Sequence, residues 1–475
     1  MPLDLKELVT TRLGENYDLH DKYLNRTLVK VQRMIGFDKV YARAEGAYLY
    51  DMDGNDYLDF LSGYGTYNIG RNHPVAQKAI RDVLEMNLPN MVQMDSALMS
   101  GLLAEALVKR LAKQGAPHLN SVFLCNSGTE AVEGALKFAK CATGRPRIVS
   151  LKNSYHGLSY GSLSVTANPY FHEGFGPFVP GAANVALENL ADLEAELKKG
   201  DVAALIVELV QGKGVFFSKG DTYAQAQALC RKYGTLFICD EVQTGLGRTG
   251  KWFAFEHWNL EPDIITLAKT LSGGYVPAGA VITRRSIYQK VYSRLDRCIV
   301  HSTTFGRNNL ACACGLAALA ILEDEQLPEN AARQGAELER QLLALKEKHE
   351  VIKDVRVKGL MAAIEFGEPK SMMMKMGWKA VHAMDESLFP QLLVTPMLTK
   401  HRILTQVAAN KSDTVKILPP LMIGQKEVDR FITAFDQVLT DLRKFPGPLW
   451  EMGANFVKAM KAGAPSDASE ETVAA

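Results

Sequence analysis

Two short apolar runs, each stopped by a charged residue, set the frame for this chain. LFIC ends on Asp240 and Glu241, and IITLA ends on Lys269. An unbroken apolar run of this kind reads as a strand covered on both faces of a parallel sheet. The charged residues then stand at strand C-terminal ends, the edge of an open α/β sheet where ligands bind. Glycines 245, 247 and 250 supply a loop that turns tightly beside a ligand, and a small SGG follows Lys269. A lysine closing a buried strand is costly unless it is paired, deprotonated or covalently occupied. Two readings fit: a buried Asp–Lys ion pair, or a cofactor needing an anion at one edge and an amine at the other. Pyridoxal phosphate (PLP) has that demand, with the lysine in a Schiff base and the acid keeping the pyridinium nitrogen protonated.

Several segments before this span add to the second reading. SVFLC reads as a strand, and Asn126-Ser127-Gly128-Thr129-Glu130 as a turn opening a helix. Its first N–H groups and the helix dipole suit a phosphate, although a plain capped turn has the same pattern. The strand near 148 leads into Tyr155-His156-Gly157, where an aromatic can stack on a flat ring. DVAALIVELVQGKG gives another buried strand ending on Glu208. This strand–helix alternation predicts a doubly wound, mostly parallel sheet.

The remaining segments are read more coarsely. Residues 1–35 predict one or two short helices, and GAYLYDMDGNDYLDF a hairpin turning at Asp53-Gly54, followed by a loop carrying Tyr64. After Lys269, VPAGAVITRR predicts a strand, and hydroxyls 302–304 either bind phosphate or cap the helix that follows. DEQLPE breaks the pattern at 324–329. We therefore expect N-terminal helices and a hairpin over 1–75, contributing to the small domain and to a dimer. A large cofactor-binding domain over 76–328, a small α+β domain over 329–455 and a disordered tail over 456–475 complete the expected division.

Composition excludes several classes. Net charge is +1 without a block of like charge, which argues against nucleic acid or an anionic membrane as partner. No stretch is long and apolar enough to span a bilayer. The seven cysteines are scattered and odd in number, and the Cys312–Cys314 pair lacks a second ligand pair, so no metal site is expected. The opening MPLDLKELVTT has acids and no apolar run, so no leader is expected and the thiols read as cytoplasmic.

From about residue 40 to 440 the chain resembles the class III (omega) aminotransferases of the fold-type I PLP enzymes. The resemblance rests on GAYLYDMDGNDYLDF, CNSGTEAVEGALK, SYHG, DEVQTGLGRTG, DIITLAKTLSGG, TTFG and KILPPL in that order. Its texture is nearest to putrescine and ornithine aminotransferases. The resemblance implies that Lys269 carries the cofactor and acts as acid–base, and that Asp240 pairs with the pyridine nitrogen. It implies Gln243 at the ring hydroxyl, Tyr155 on the ring face, and His156 and Glu208 in the cofactor site. Ser127, Gly128 and Thr129 would bind phosphate, joined by Thr304 across the interface of a homodimer, with a tetramer as the open alternative. The substrates implied are small-molecule amines and keto acids or aldehydes.

Tyr64 is expected at the substrate, and the departures from the family concentrate on the other residues expected there. Leu158 stands where ornithine-type enzymes place a carboxylate-binding arginine. Lys416 replaces the late arginine before Pro-Pro, and Lys213 replaces its gating glutamate. Arg307 lies in GRNN, where the family has GGNP. Lysine lacks the bidentate fork of arginine, so fixed carboxylate clamps are lost. The expected substrate is an apolar or extended amine without a carboxylate near the reacting carbon. Arg307 or Lys416 remains available for the carboxylate of a co-substrate. An aminomutase resembling glutamate-1-semialdehyde aminomutase is the alternative, since such enzymes often lack the late arginine.

Overall fold

The computed structural model describes residues 3–92, 94–384, 388–409, 412–444 and 446–462. A seven-stranded sheet forms its centre. From one edge to the other its strands are Ser121–Cys125, Gly279–Thr283, Ile264–Leu267, Leu236–Asp240, Val202–Val207, Arg147–Leu151 and Ala182–Val185. All run parallel except Gly279–Thr283, which is antiparallel to both neighbours. The predicted strand in VPAGAVITRR is therefore present, and it reverses the parallel run near one edge.

Alternation within the strands shows why both faces are covered. Ile238 packs on one side with Ala131, Ala135 and Phe138 of the helix Gly128–Thr143. Phe237 and Cys239 face the other side, in the core that also holds Tyr223 and Cys230 of the helix Thr222–Lys232. Neither face meets water, so the strands need no polar positions until they end.

Two smaller sheets flank this centre. The hairpin Tyr48–Asp51/Asp56–Asp59 forms as expected, with Tyr41–Glu45 on one side and Ile403–Leu404 on the other. The second contains Ile352–Lys358, Met361–Phe366, Thr414–Ile417 and Gln406–Val407. Residues before 35 form three helices rather than one or two: Leu5–Arg12, Asn16–Tyr23 and Arg26–Met34. The break at DEQLPE is shorter than expected, because the next helix starts at Leu327 with Pro328 in its first turn. The last helix runs from Pro448 to Ala462, and the rest of the expected tail lies outside the described residues.

One buried charge ties these parts together. Arg248 is fully buried and donates to the carbonyls of Leu360 at 2.8 Å and Pro419 at 2.5 Å, and to Asn68 Oδ1. Those acceptors come from three distant parts of the sequence, so the guanidinium fastens the loop after the Asp240 strand to the edge of the second flanking sheet and to the loop that follows the hairpin.

Candidate active site

Strand ends and the first turn of a helix converge on a cavity of about 850 Å³. Asp240 closes its strand and is almost fully buried. Its Oδ1 accepts from Thr266 Oγ1 at 2.9 Å and the Val242 N–H at 3.1 Å. Its Oδ2 accepts from His156 Nδ1 at 2.7 Å. The ion-pair partner of Asp240 is thus His156 and not Lys269, which removes the simpler reading of the Asp–Lys motif. Burial alone would lower the pKa of His156, but the Asp240 hydrogen bond and the charges of Asp240 and Glu208 outweigh it and raise it.

Lys269 follows its strand by two residues and begins a short 3-10 turn with φ of +47°. A non-glycine residue held in the left-handed region is strained, and such strain is held where the surroundings fix it. Desolvation pushes the Lys269 pKa down, with Asp240 and Glu208 opposing and Lys213 adding to the fall. The amine is thereby shifted toward its neutral, nucleophilic form.

At the other end of the cavity lies the helix that starts at Gly128. Ser127 caps it, its Oγ accepting from the Glu130 N–H at 3.2 Å, so the turn is capped as the plainer reading expects. The N–H groups of Gly128 and Thr129 have no carbonyl within the helix and remain for an anion. The Thr129 hydroxyl is already engaged, 2.6 Å from both Ser159 Oγ and Ser162 Oγ. A Cβ on Gly128 would come within 2.8 Å of Val242 Cγ1, so only glycine leaves this cradle open.

Tyr155 lines the cavity, with its N–H donating to Glu208 Oε2 at 2.8 Å. Glu208 also accepts from the Gly212 N–H at 2.8 Å, and burial raises its pKa against the charge of His156. Gln243 donates from Nε2 to the Tyr64 carbonyl at 3.0 Å. The substrate candidates divide. Tyr64 and Leu158 are each 52% exposed and line the mouth. The Lys213 ammonium lies 5.2 Å from the Tyr155 ring centre and 5.4 Å from that of Phe171. Lys416 is buried and donates to the Gly212 carbonyl at 2.7 Å. Desolvation, with Lys213 and Lys269 nearby, brings its pKa down to about 7.

Thr304 and Arg307 do not line this cavity; both are exposed, and Arg307 borders a separate hollow beside Ser302 and Thr303. Three lining residues have no signal in the sequence. Val242 packs against Gly128, Phe171 sits edge-on to Tyr155 with ring centres 5.2 Å apart, and Gln406 comes from the small sheet. Apolar and amide side chains of this kind carry no motif of their own.

The family signature described as Aminotransferase class-III matches residues 31–439. The chain belongs to the class-III aminotransferases. It is 36% identical to a putrescine aminotransferase of Pectobacterium atrosepticum, over 83% of this chain and 81% of that one. It is 34% identical to the Serratia protein named Aminotransferase PigE, covering 91% of this chain and 54% of that protein. The chain therefore spans about half the length of that relative. Among solved structures, the ornithine aminotransferase of Toxoplasma gondii ME49 is 30% identical with a TM-score of 0.75, over 85% of this chain and 91% of that one. The class-III aminotransferases are fold-type I enzymes that use PLP, and the mixed sheet described above is of that type.

The residues present in this class-III chain fit that cofactor. His156 Nε2 and Gln243 Oε1 are buried polar atoms without a partner among the described residues. The donor set supplies an amine, a carboxylate, an aromatic ring and a capped helix N-terminus around one space. No helix among the described residues is long and apolar enough to cross a membrane, and no group of acidic, histidine and cysteine residues there is arranged to hold a metal.

Proposed function

We propose that this chain moves an amino group from a primary amine, one lacking a carboxylate beside the reacting carbon, to a keto-acid or aldehyde acceptor by a ping-pong mechanism. The observation that carries this reading is the convergence of Lys269, Asp240, Tyr155, Gln243 and the Gly128 turn on a single cavity. When bound, PLP supplies the carbonyl carbon that takes up nitrogen and the ring that withdraws electrons. The chain's own residues do the rest.

Lys269 Nζ holds the cofactor and then moves a proton at the substrate carbon, a task its lowered pKa suits. Asp240 would pair with the pyridine nitrogen and keep it protonated, and His156 fixes the orientation of that carboxylate through their 2.7 Å hydrogen bond. Tyr155 and Gln243, which line the same cavity, would hold the ring of that cofactor, the first by stacking and the second by a hydrogen bond to its hydroxyl. The N–H groups of Gly128 and Thr129 hold the phosphate, together with Ser127. Thr304 completes that phosphate site from the second copy of a homodimer, which accounts for its exposure in one chain. Seven free cysteines support a reducing compartment, the cytoplasm.

Leu158 offers no charge to a substrate carboxylate, and Lys416 is occupied by Gly212. Both features support an amine without a neighbouring carboxylate. The test is a half-reaction screen that follows the bound-cofactor absorbance with amines and amino acids, alone and then with pyruvate. An aminotransferase stops after one half-turnover without an acceptor, whereas a mutase turns over a single substrate. Lys269→Ala should lower the rate about 10²–10⁴-fold. Full activity in that variant would refute the reading.

A further inference from the structure

Charge inside the cavity is unevenly spent. Its charged lining residues, among those described, are Glu208, Asp240, Lys213, Lys269 and Lys416. Both carboxylates are engaged, Asp240 by His156, Thr266 and the Val242 N–H, and Glu208 by the N–H groups of Tyr155 and Gly212. Lys416 is buried and donates to the Gly212 carbonyl, and Lys269 is given to the cofactor. Lys213 differs from all of these. Its ammonium has no hydrogen bond or ion pair among the described residues and rests only near the Tyr155 and Phe171 rings, which line the same space.

The backbone that presents this ammonium is fixed on both sides. Before it, the Gly212 N–H donates to Glu208 and the Gly212 carbonyl accepts from Lys416. After it, the Gly214 carbonyl accepts from Arg356 Nε at 2.9 Å, and Gly214 turns the chain with φ of +97°. A braced loop thus holds a cation short of a counter-ion in the cavity wall. Burial lowers the Lys213 pKa, with Glu208 opposing. An arriving carboxylate recovers that desolvation cost through a charge-assisted hydrogen bond.

We infer that Lys213 binds the carboxylate of the acceptor, which is therefore a 2-keto acid rather than a simple aldehyde. The inference rests on the aminotransferase reading and names its acceptor class. Leu158 offers no charge, Arg307 lies outside the cavity, and Lys416 is spent on Gly212. A lysine grips at one point, without the fork of arginine. The two rings give the ammonium a resting place, so a donor without a carboxylate shares the same cavity.

The test uses holoenzyme loaded with the best amine of the half-reaction screen, then given pyruvate or pyruvamide, a neutral acceptor of nearly equal size. Native protein should prefer pyruvate in kcat/KM by about tenfold or more, the worth of one hydrogen bond to a charged group. Lys213→Gln should abolish that preference by raising KM for pyruvate while leaving pyruvamide unaffected, and Lys213→Arg should retain it. Equal use of both acceptors by native protein, or an equal loss of both in Lys213→Gln, overturns the inference; the equal loss would mark a structural role. If no amine changes the bound-cofactor absorbance, the aminotransferase reading fails instead. Ligand-observed NMR with propanoate, which cannot react, then decides Lys213 alone. Binding weakened in Lys213→Gln supports the carboxylate site, and equal binding by native and variant protein, or none by either, refutes it.

Discussion

Lys416 Nζ donates to the Gly212 carbonyl at 2.7 Å, so a buried amine braces the loop that carries Lys213. Its folded pKa of about 7 lies below the ordinary 10.5, with desolvation as the main cause. Between those values the unfolded chain binds a proton that the folded chain lacks. The penalty of burying the amine is therefore full below about pH 7 and fades as pH rises toward about 10. Native stability should gain with pH across that window. Lys416→Met should flatten the gain, and denaturation midpoints measured from about pH 6 to about pH 10 will show whether the two slopes differ.

His156→Phe removes a charge-assisted hydrogen bond from Asp240 while Thr266 and Val242 still hold the carboxylate. Such a bond contributes about 1.5–3 kcal/mol. Cofactor affinity should weaken about tenfold to a hundredfold, with the fold intact by circular dichroism. Equilibrium dialysis of PLP against native and variant protein gives the number, and equal affinities would leave His156 with a packing role only.

Gly128→Ala places a methyl group 2.8 Å from Val242 Cγ1. Either Val242 shifts into the cavity or the helix start retreats, and both disturb the anion cradle. PLP affinity should fall, and Val242→Ala in the same chain should restore most of it. Failure of the double variant to recover would mean that the helix start, not the contact, is sensitive.

Arg248→Met strands the carbonyls of Leu360 and Pro419 and the amide of Asn68 inside the protein. Each buried group left unbonded costs about 1–3 kcal/mol. A loss of about 3–5 kcal/mol in denaturant unfolding is expected, and a loss below about 1 kcal/mol would mean that water reaches those groups.

The strands and turns that frame this site were readable because burial on both faces leaves a plain signature. LFIC and IITLA are strands, and the Asn126–Glu130 turn opens a helix, as their patterns require. Direction was harder. VPAGAVITRR looks the same whether it runs with its neighbours or against them, and the antiparallel choice follows from the short return after Lys269. The strained φ of Lys269 was also hidden, since a lysine carries no preference for the left-handed region. The site residues without charge, Val242 and Phe171, were legible only as apolar.

The reversed strand has a consequence for how the protein is made. Ser121–Cys125, which leads into the Gly128 turn, has only Gly279–Thr283 as a sheet neighbour among the described residues. A chain emerging from the ribosome therefore completes Asp240 and Lys269 before the strand that fastens the phosphate turn exists. Until Thr283 is out, the amine has been synthesised but the anion cradle has no fixed edge to stand on. On the proposed function, phosphate binding at the Gly128 turn is expected only once Thr283 has been made.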